Sequence, residues 1–172
     1  MSVLTGFTLC EDLERVGLDH AKALWAQSEE GVEYIRNLVT LGVTYASMQQ
    51  TNRANQLFDL ALASTNVKYA DVGTIASYYS QIGNLAKLEI ALSKLAELSP
   101  TEPEPRYDLA ALQAFRGESA PALVNLRLAM EINARRLKAN PTARDLLSEA
   151  RRDPRLNPIR TLPEFSNIIP PQ

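Results

Sequence analysis

The 172-residue chain has few of the residues on which most protein chemistry depends. Cys10 is its single cysteine and His20 its single histidine, which excludes an internal disulfide and any metal site that needs several Cys or His ligands. A site made only of carboxylates stays formally open. The seven glycines stand apart from one another, and none opens a phosphate-binding loop of the GxGxxG or Walker type.

Further absences limit the class of protein and its location. No run of about 18 apolar residues is present, and the start of the chain lacks the basic-then-apolar order of a secretory signal. We therefore expect no membrane insertion of this segment and a cytoplasmic location. Its opening residues do not resemble a domain edge, so the native protein could extend beyond Met1. The net charge of −2 creates no field that would select nucleic acid or an anionic membrane.

Aromatic residues make up 6% of the chain, while Ala and Leu dominate. This composition favours helices over a sheet, which would need more Val, Ile, Thr and aromatic residues. The sequence therefore predicts an all-α protein.

The candidate catalytic groups are isolated from one another. A Ser-His-Asp hydrolase would need His20 as its base, but no nucleophile motif lies near it. Two acidic residues follow Cys10, and their charges would raise its thiol pKa rather than activate it. Glu29, Glu30 and Glu33 resemble a carboxylate cluster, yet acidic residues in a first helical turn are explained by the helix dipole. We expect no enzymatic activity and no cofactor.

What the chain does contain is an internal repeat with a period of 34 residues. A large apolar residue followed by a small one recurs at this spacing three times, as Leu41-Gly42, Ile75-Ala76 and Leu109-Ala110. Tyr45 and Tyr79 are separated by 34, and so are Gly83 and Gly117. Agreement at this many positions indicates one structural unit used repeatedly.

Each unit has the pattern of a helix hairpin. The helical spacing i, i+3, i+4, i+7 occurs in the first half of a unit at Leu38, Leu41, Gly42 and Tyr45, and in the second half at Leu57, Phe58, Ala61 and Leu62. Small residues allow the two helices to approach closely. On the second helices they are Ala54, Ala61, Ala122 and Ala129. Gly83-Asn84 and Gly117-Glu118-Ser119 separate the stripes, where Gly is expected in a left-handed turn and Asn or Ser as a cap.

At these residues the chain resembles the tetratricopeptide repeat family, which has a similar Leu-Gly-x2-Tyr, turn Gly and Ala-x3-Phe-x2-Ala pattern. The resemblance covers about residues 35–134, as three units near 35–68, 69–102 and 103–136. It implies an α-solenoid in which antiparallel helix hairpins stack into a right-handed superhelix. The sequence departs from the pattern where Gln49-Gln50 replaces the first turn Gly, Leu88 a small residue and Ala134 the closing Pro.

We predict one helical-repeat domain over residues 1–172, with a capping helix within 1–34, repeats over 35–136 and capping helices within 137–172. Thr161 to Glu164 has the pattern of a capping box, and Asp153-Pro154 and Asn157-Pro158 are expected to interrupt helices. The segment from Ala150 to Phe165 is similar to the ending of many bacterial arrays of this family. Expected helices span 12–27, 30–48, 52–64, 70–82, 85–98, 104–116, 119–139, 143–152 and 162–168.

In this family ligands usually bind a concave groove lined by the first helix of each hairpin. By resemblance the lining consists of Arg36, Val39, Thr40, Val43, Ser47, Gly73, Thr74, Ser77, Ser80, Gln81, Tyr107, Asp108, Ala111, Ala114 and Phe115. Members that hold the carboxyl-terminal tails of chaperones use Lys and Asn residues in this groove. None of those residue types is in the lining, so a carboxylate-clamp co-chaperone is disfavoured.

These observations predict a non-catalytic scaffold that binds a peptide or partner protein, with no metal and no cofactor. One alternative is a carboxyl-terminal accessory domain of a larger bacterial enzyme, for which a membrane-embedded glycosyltransferase is an example. Another is an acidic-surface or nucleic-acid binder that uses the Arg-rich residues 133–160, although nucleic acid is not expected without interleaved aromatic residues. An imperfect amino-terminal cap would also allow a homodimer.

Overall fold

The computed structural model describes the backbone of residues 30–171 and the side chains of residues 32–171. Over this range the regular elements are all helical and there is no strand, which confirms the predicted all-α class, whereas the solenoid arrangement stays a prediction. The expected helix at 12–27, with His20, and also Cys10 and Glu29, lie outside it. The helices are α1 (Glu30–Ser47), α2 (Thr51–Ala63), α3 (Tyr69–Gln81), α4 (Leu85–Leu98), α5 (Glu104–Phe115), α6 (Ser119–Ala139), α7 (Leu146–Ala150), α8 (Asn157–Arg160) and α9 (Pro163–Ile168), with a 3-10 turn at Pro154–Leu156.

The described residues fall into two compact units, which divide between Ile82 and Gly83. The first contains α1 to α3, and the second contains α4 to α9. The assignment of a single repeat domain to the whole chain stays a prediction.

In the first unit α1 and α2 pack against each other as a hairpin, and α3 packs on both. Gly42 of α1 faces the fully buried ring of Phe58 on α2. A Cβ at Gly42 would come within 2.5 Å of the Phe58 ring, so the hairpin closes only because this position has no side chain.

In the second unit the hairpin of α5 and α6 contributes most of the core, and α4 packs against α5. The segment that follows α6 folds back onto this hairpin through the 3-10 turn, α8 and α9. Its buried apolar residues join those of the hairpin in one cluster. The members that follow α6 are Leu146, Ala150, Leu156, Ile159, Phe165 and Ile169.

Turn conformations repeat with the same 34-residue spacing as the sequence. Gly83 (φ 68°) and Gly117 (φ 78°) are left-handed as expected, and Gln49 takes the equivalent place with φ 62°. A residue other than glycine is uncommon in this region of backbone conformation. The replacement of the first turn Gly by Gln49 therefore changes the residue and leaves the turn unaltered.

The seven small residues of the repeat are buried, as the repeat predicts. Ala54, Ala61, Ala110, Ala122 and Ala129 are fully inaccessible to solvent, and Gly42 and Ala76 are also buried.

Of the predicted helix caps, one at Asn84 is present, and those at Ser119 and Thr161 are absent. The Asn84 side chain accepts a hydrogen bond from the Lys87 N–H at the start of α4, as expected. Ser119, by contrast, is the first residue of α6 and does not cap it. The capping box at Thr161 to Glu164 is also absent, because α8 ends at Arg160 with Thr161 as its C-cap, which leaves Leu162 as the N-cap of α9 without a side-chain hydrogen bond.

Asp153-Pro154 and Asn157-Pro158 interrupt the helical segment as expected, because α7 ends at Ala150 and the 3-10 turn ends at Leu156, and both prolines also stand in first turns. Pro154 opens the 3-10 turn, with Asp153 accepting a hydrogen bond from the Arg155 N–H, and Pro158 lies at the start of α8. Proline suits a first turn because its missing N–H would have no partner within the helix. Residues 154–160 therefore form a 3-10 turn and a short helix, which the sequence did not predict.

Candidate functional site

A groove lies between α1 and α3 in the first unit. Its volume is about 710 Å³. Both helices contribute the residues of their carboxyl-terminal turns, and α3 contributes residues along its whole length. The lining consists of Val43, Ala46, Ser47, Ala70, Gly73, Thr74, Ser77, Tyr78, Gln81 and Ile82.

This groove has no charged side chain in its lining. The hydroxyl groups of Ser47 and Thr74 donate to backbone carbonyls three and four residues earlier in their own helices, at 2.7 Å and 3.1 Å. Ser77 accepts a long hydrogen bond of 3.5 Å from the Gln81 side-chain amide. The hydroxyl protons of Ser47 and Thr74 are thus already used, and their oxygens face the groove as acceptors.

Gly73 lies in the interior of α3 and faces this open space. A Cβ built on it meets no atom within 4 Å, in contrast to Gly42, where the Phe58 ring fills the space. Glycine in a helix interior costs about 0.5–1 kcal/mol relative to alanine. Packing explains that cost at Gly42, but packing does not explain it at Gly73.

Tyr78 provides the aromatic surface of the groove. Its ring is half-buried and packs against two further rings, with centroid distances of 5.0 Å to Phe58 and 5.4 Å to Tyr79. Because Phe58 and Tyr79 are fully buried, the Tyr78 ring is held in a fixed orientation.

The corresponding face of α5, in the second unit, is covered by the chain itself. Tyr107 takes the position of Gly73 one repeat later, and its hydroxyl donates to Asp153 Oδ2 at 2.8 Å. Asp108, one repeat after Thr74, accepts from Arg155 Nη1 at 2.9 Å. The Arg155 guanidinium also lies 5.5 Å from the centre of the Tyr107 ring.

The electrostatics of this contact reflect its geometry. Burial raises the pKa of Tyr107, and its hydrogen bond to Asp153 raises it further. Burial alone would raise the pKa of Asp153, but hydrogen bonds from Arg155 and Tyr107 outweigh burial and lower it. The carboxylate is therefore held ionised as the acceptor of both groups.

The predicted groove residues separate into two sets. In the first unit Arg36, Thr40, Val43, Ser47, Thr74, Ser77, Ser80 and Gln81 are exposed and Gly73 is half-buried, whereas Val39 is buried. Six of these residues line one groove, namely Val43, Ser47, Gly73, Thr74, Ser77 and Gln81. In the second unit Tyr107, Ala111 and Ala114 are buried, Asp108 is half-buried and Phe115 is 71% exposed.

The buried members correct the predicted lining. Tyr107, Ala111 and Ala114 pack in the core cluster that includes residues 146–169, so a partner cannot reach them. Val39 is 4% exposed and belongs to the core of the first unit. The resemblance predicted the lining from the repeat register alone. That register gives no information about the segment after α6, which covers these residues.

Four lining residues were missed by the sequence analysis: Ala46, Ala70, Tyr78 and Ile82. Three of them share one helical row with Thr74, since residues 70, 74, 78 and 82 are successive i, i+4 neighbours. That spacing was the available signal for Tyr78.

A second cavity, of about 870 Å³, lies near the carboxyl-terminal end and includes Arg151, Arg152 and Arg160 in its lining. Arg160 donates to the backbone carbonyls of Ala150, Arg151 and Asp153, and so ties the end of α7 to α8. This arginine therefore has a structural role.

Much of the positive charge predicted for residues 133–160 is paired within the molecule. Arg136 donates to Glu104 at 2.7 Å, and Arg144 donates to Glu149 at 2.7 Å. The hydrogen bond from Arg144 lowers the pKa of Glu149. These contacts leave less free charge for an acidic surface than the sequence count of basic residues suggests.

The described residues contain no group of three or more His, Cys, Asp or Glu side chains that could hold a metal ion. Between residues 30 and 171 no helix is both long and apolar enough to cross a membrane.

No family model, no curated protein and no solved structure matches this chain.

Proposed function

We propose that the chain is a non-catalytic scaffold of the tetratricopeptide type, which binds a segment of a partner protein in the groove between α1 and α3. In this proposal the hairpins stack as a right-handed solenoid. The 34-residue spacing of the left-handed residues Gln49, Gly83 and Gly117 supports that arrangement.

The observation that carries the proposal is Gly73. Glycine is the least stabilising helix residue other than proline. Helix α3 nevertheless has it at a position where nothing packs and the space above is open. A ligand backbone that approaches α3 closely would need this space. Conformational cost without a packing reason is characteristic of binding surfaces, which give up stability for access.

The groove also has the composition of a peptide-binding surface. It combines the apolar groups of Val43, Tyr78 and Ile82 with polar groups that can fix orientation, as binding sites usually do. Val43 is 42% exposed and Ile82 is 45% exposed, so apolar area is available for burial.

The test uses Gly73→Trp, which places a large ring in the groove from a position where a Cβ meets no atom within 4 Å. Wild type, Gly73→Trp and the control Gln56→Trp serve as baits in lysate of the source organism, and the captured proteins are identified by mass spectrometry. Gln56 is exposed on α2 outside the groove, so this control adds the same ring elsewhere. We expect Gly73→Trp alone to lose the partner. Capture of the same proteins by all three baits would show that the groove is not the binding site.

A further inference from the structure

We infer that the partner segment carries a lysine or arginine among apolar residues, and that this basic group binds at the end of the groove formed by the last turns of α1 and α3. The inference rests on the proposed function and specifies the chemistry of its ligand.

Two hydroxyl groups of the groove can act toward a ligand as acceptors. Since Ser47 and Thr74 direct their protons to carbonyls of their own helices, their oxygens can accept from a ligand. A lysine or arginine brings three or five N–H donors and no acceptor.

The electrostatic environment of the groove also favours a cation. Both α1 and α3 end at the groove, with Ser47 and Gln81 as their last residues. Neither helix has a basic residue in its last turn. The carboxyl-terminal end of a helix carries about half a negative charge and favours a cation. These ends therefore attract the basic group of a ligand, and the predicted lining residue Arg36 lies outside this groove.

Tyr78 supplies a third contribution. Its half-buried ring lines the groove, and the cation–π contacts of the described residues lie on other rings. The chain itself pairs arginines with rings in this way, with Arg53 5.4 Å from the centre of Tyr45 and Arg160 5.3 Å from that of Phe165. A basic ligand could approach Tyr78 at a similar distance, because a ring face attracts a cation within about 6 Å.

A random decapeptide library displayed on phage is a suitable probe. It is selected against the full chain, against Gly73→Trp and against the control Gln56→Trp. We expect wild type and Gln56→Trp to enrich peptides with Lys or Arg among apolar residues and to deplete Asp and Glu, while Gly73→Trp loses this enrichment. Peptides that depend on Gly73 but are acidic or uncharged would overturn the inference and leave the proposed function standing. Enrichment that does not depend on Gly73, or no enrichment, would overturn both.

Single substitutions then locate the basic group. For a selected peptide, Tyr78→Leu should lower affinity about two- to fivefold, the range of an exposed cation–π contact, whereas Tyr78→Phe keeps the ring and should change it little. Ser77→Lys places a cation in the groove and should weaken binding at least fivefold, with Gln56→Lys as the matched control outside it. Circular dichroism melting of each variant separates loss of binding from loss of fold. Unchanged affinity in a folded Ser77→Lys variant would contradict the placement of the ligand's charge.

Discussion

The inner positions of α3 and α5 correspond residue by residue along the repeat, yet one set is open and the other is covered. Gly73 and Thr74 on α3 line the groove, whereas Tyr107 and Asp108 on α5 bind the chain's own Asp153 and Arg155. The same helix face can therefore be either open to solvent or an attachment point for another segment of the chain. The difference lies in a few side chains on one helix face.

This comparison also shows how the hairpin of α5 and α6 is covered. A terminal repeat exposes the apolar surface meant for its neighbour unless another segment covers it. In this chain the segment of residues 146–169 covers the hairpin and is called the cover. Its residues Leu156 and Ile159 are fully buried, while the ion pair of Arg155 with Asp108 lies at its exposed edge. Apolar burial is thus expected to stabilise the cover more than this ion pair does, since exposed ion pairs contribute little.

The largest effect is expected from removal of apolar volume beneath the cover. Leu156→Ala should lower the free energy of unfolding by about 2–5 kcal/mol, because it leaves a cavity in a fully buried cluster. Urea denaturation followed by circular dichroism measures this change. Val124→Ala is the control, since Val124 is 58% exposed and its loss should change stability by less than about 0.5 kcal/mol. Equal effects of both substitutions would refute a packed cover.

Loss of the Tyr107 hydroxyl tests the polar contact of the cover. Tyr107→Phe should cost about 1.5–3 kcal/mol at neutral pH, because it removes a hydrogen bond to an ionised carboxylate and keeps the buried ring. The measurement is again the free energy of unfolding in urea.

The pH dependence follows from the lowered pKa of Asp153. Its stabilising contribution is complete above the unfolded pKa of about 3.9 and is lost as the pH falls through the lower pKa of the folded protein. The difference between wild type and Tyr107→Phe should therefore shrink as the pH falls below about 3.9 and through the lower folded pKa. A difference that stays constant over this range would show that Asp153 is not the charged acceptor.

Close helix packing in the hairpin of α5 and α6 is tested by added volume. Ala129→Leu should cost about 1–3 kcal/mol, because Ala129 is fully buried between packed helices and a larger side chain forces the backbone to move. Ala61→Leu in the first unit should behave similarly. Ala134→Leu is the control on an exposed position of α6, and a wild-type melting temperature for Ala129→Leu would contradict the packing role.

Two glycines allow the same substitution to act with opposite sign. Gly42→Ala should destabilise by about 1–3 kcal/mol, because its methyl group meets the immobile Phe58 ring. Gly73→Ala should instead stabilise by about 0.5–1 kcal/mol, since it meets no atom and removes a glycine from a helix interior. Thermal melting distinguishes them. A loss of stability in Gly73→Ala would mean that this glycine has a packing role.

The sequence predicted the helices well because the repeat placed apolar residues in two periodic stripes, which fix the face of each helix and the turn between them. It placed Val43, Gly73 and Ser77 in the groove for the same reason. It predicted capping helices within 137–172 but missed the burial of Tyr107, because a segment without the repeat has no register that tells which face of α5 it contacts. Long-range contacts of this kind leave no periodic signal.

Phe115 has the smallest expected effect on stability and gives the sharpest test of the comparison. It occupies on α5 the position of the groove residue Gln81 on α3, but it is 71% exposed and stays outside the cover that buries Tyr107. Phe115→Ala should therefore change the free energy of unfolding by less than about 0.5 kcal/mol. If this ring is a binding hot spot, the same change weakens partner binding by more than about 1 kcal/mol, while Arg151→Ala and Arg152→Ala alter it little. Isothermal titration of the captured partner measures all three. The reverse order would assign binding to the Arg-rich end, and an unchanged affinity for Phe115→Ala would confine the partner to the open groove.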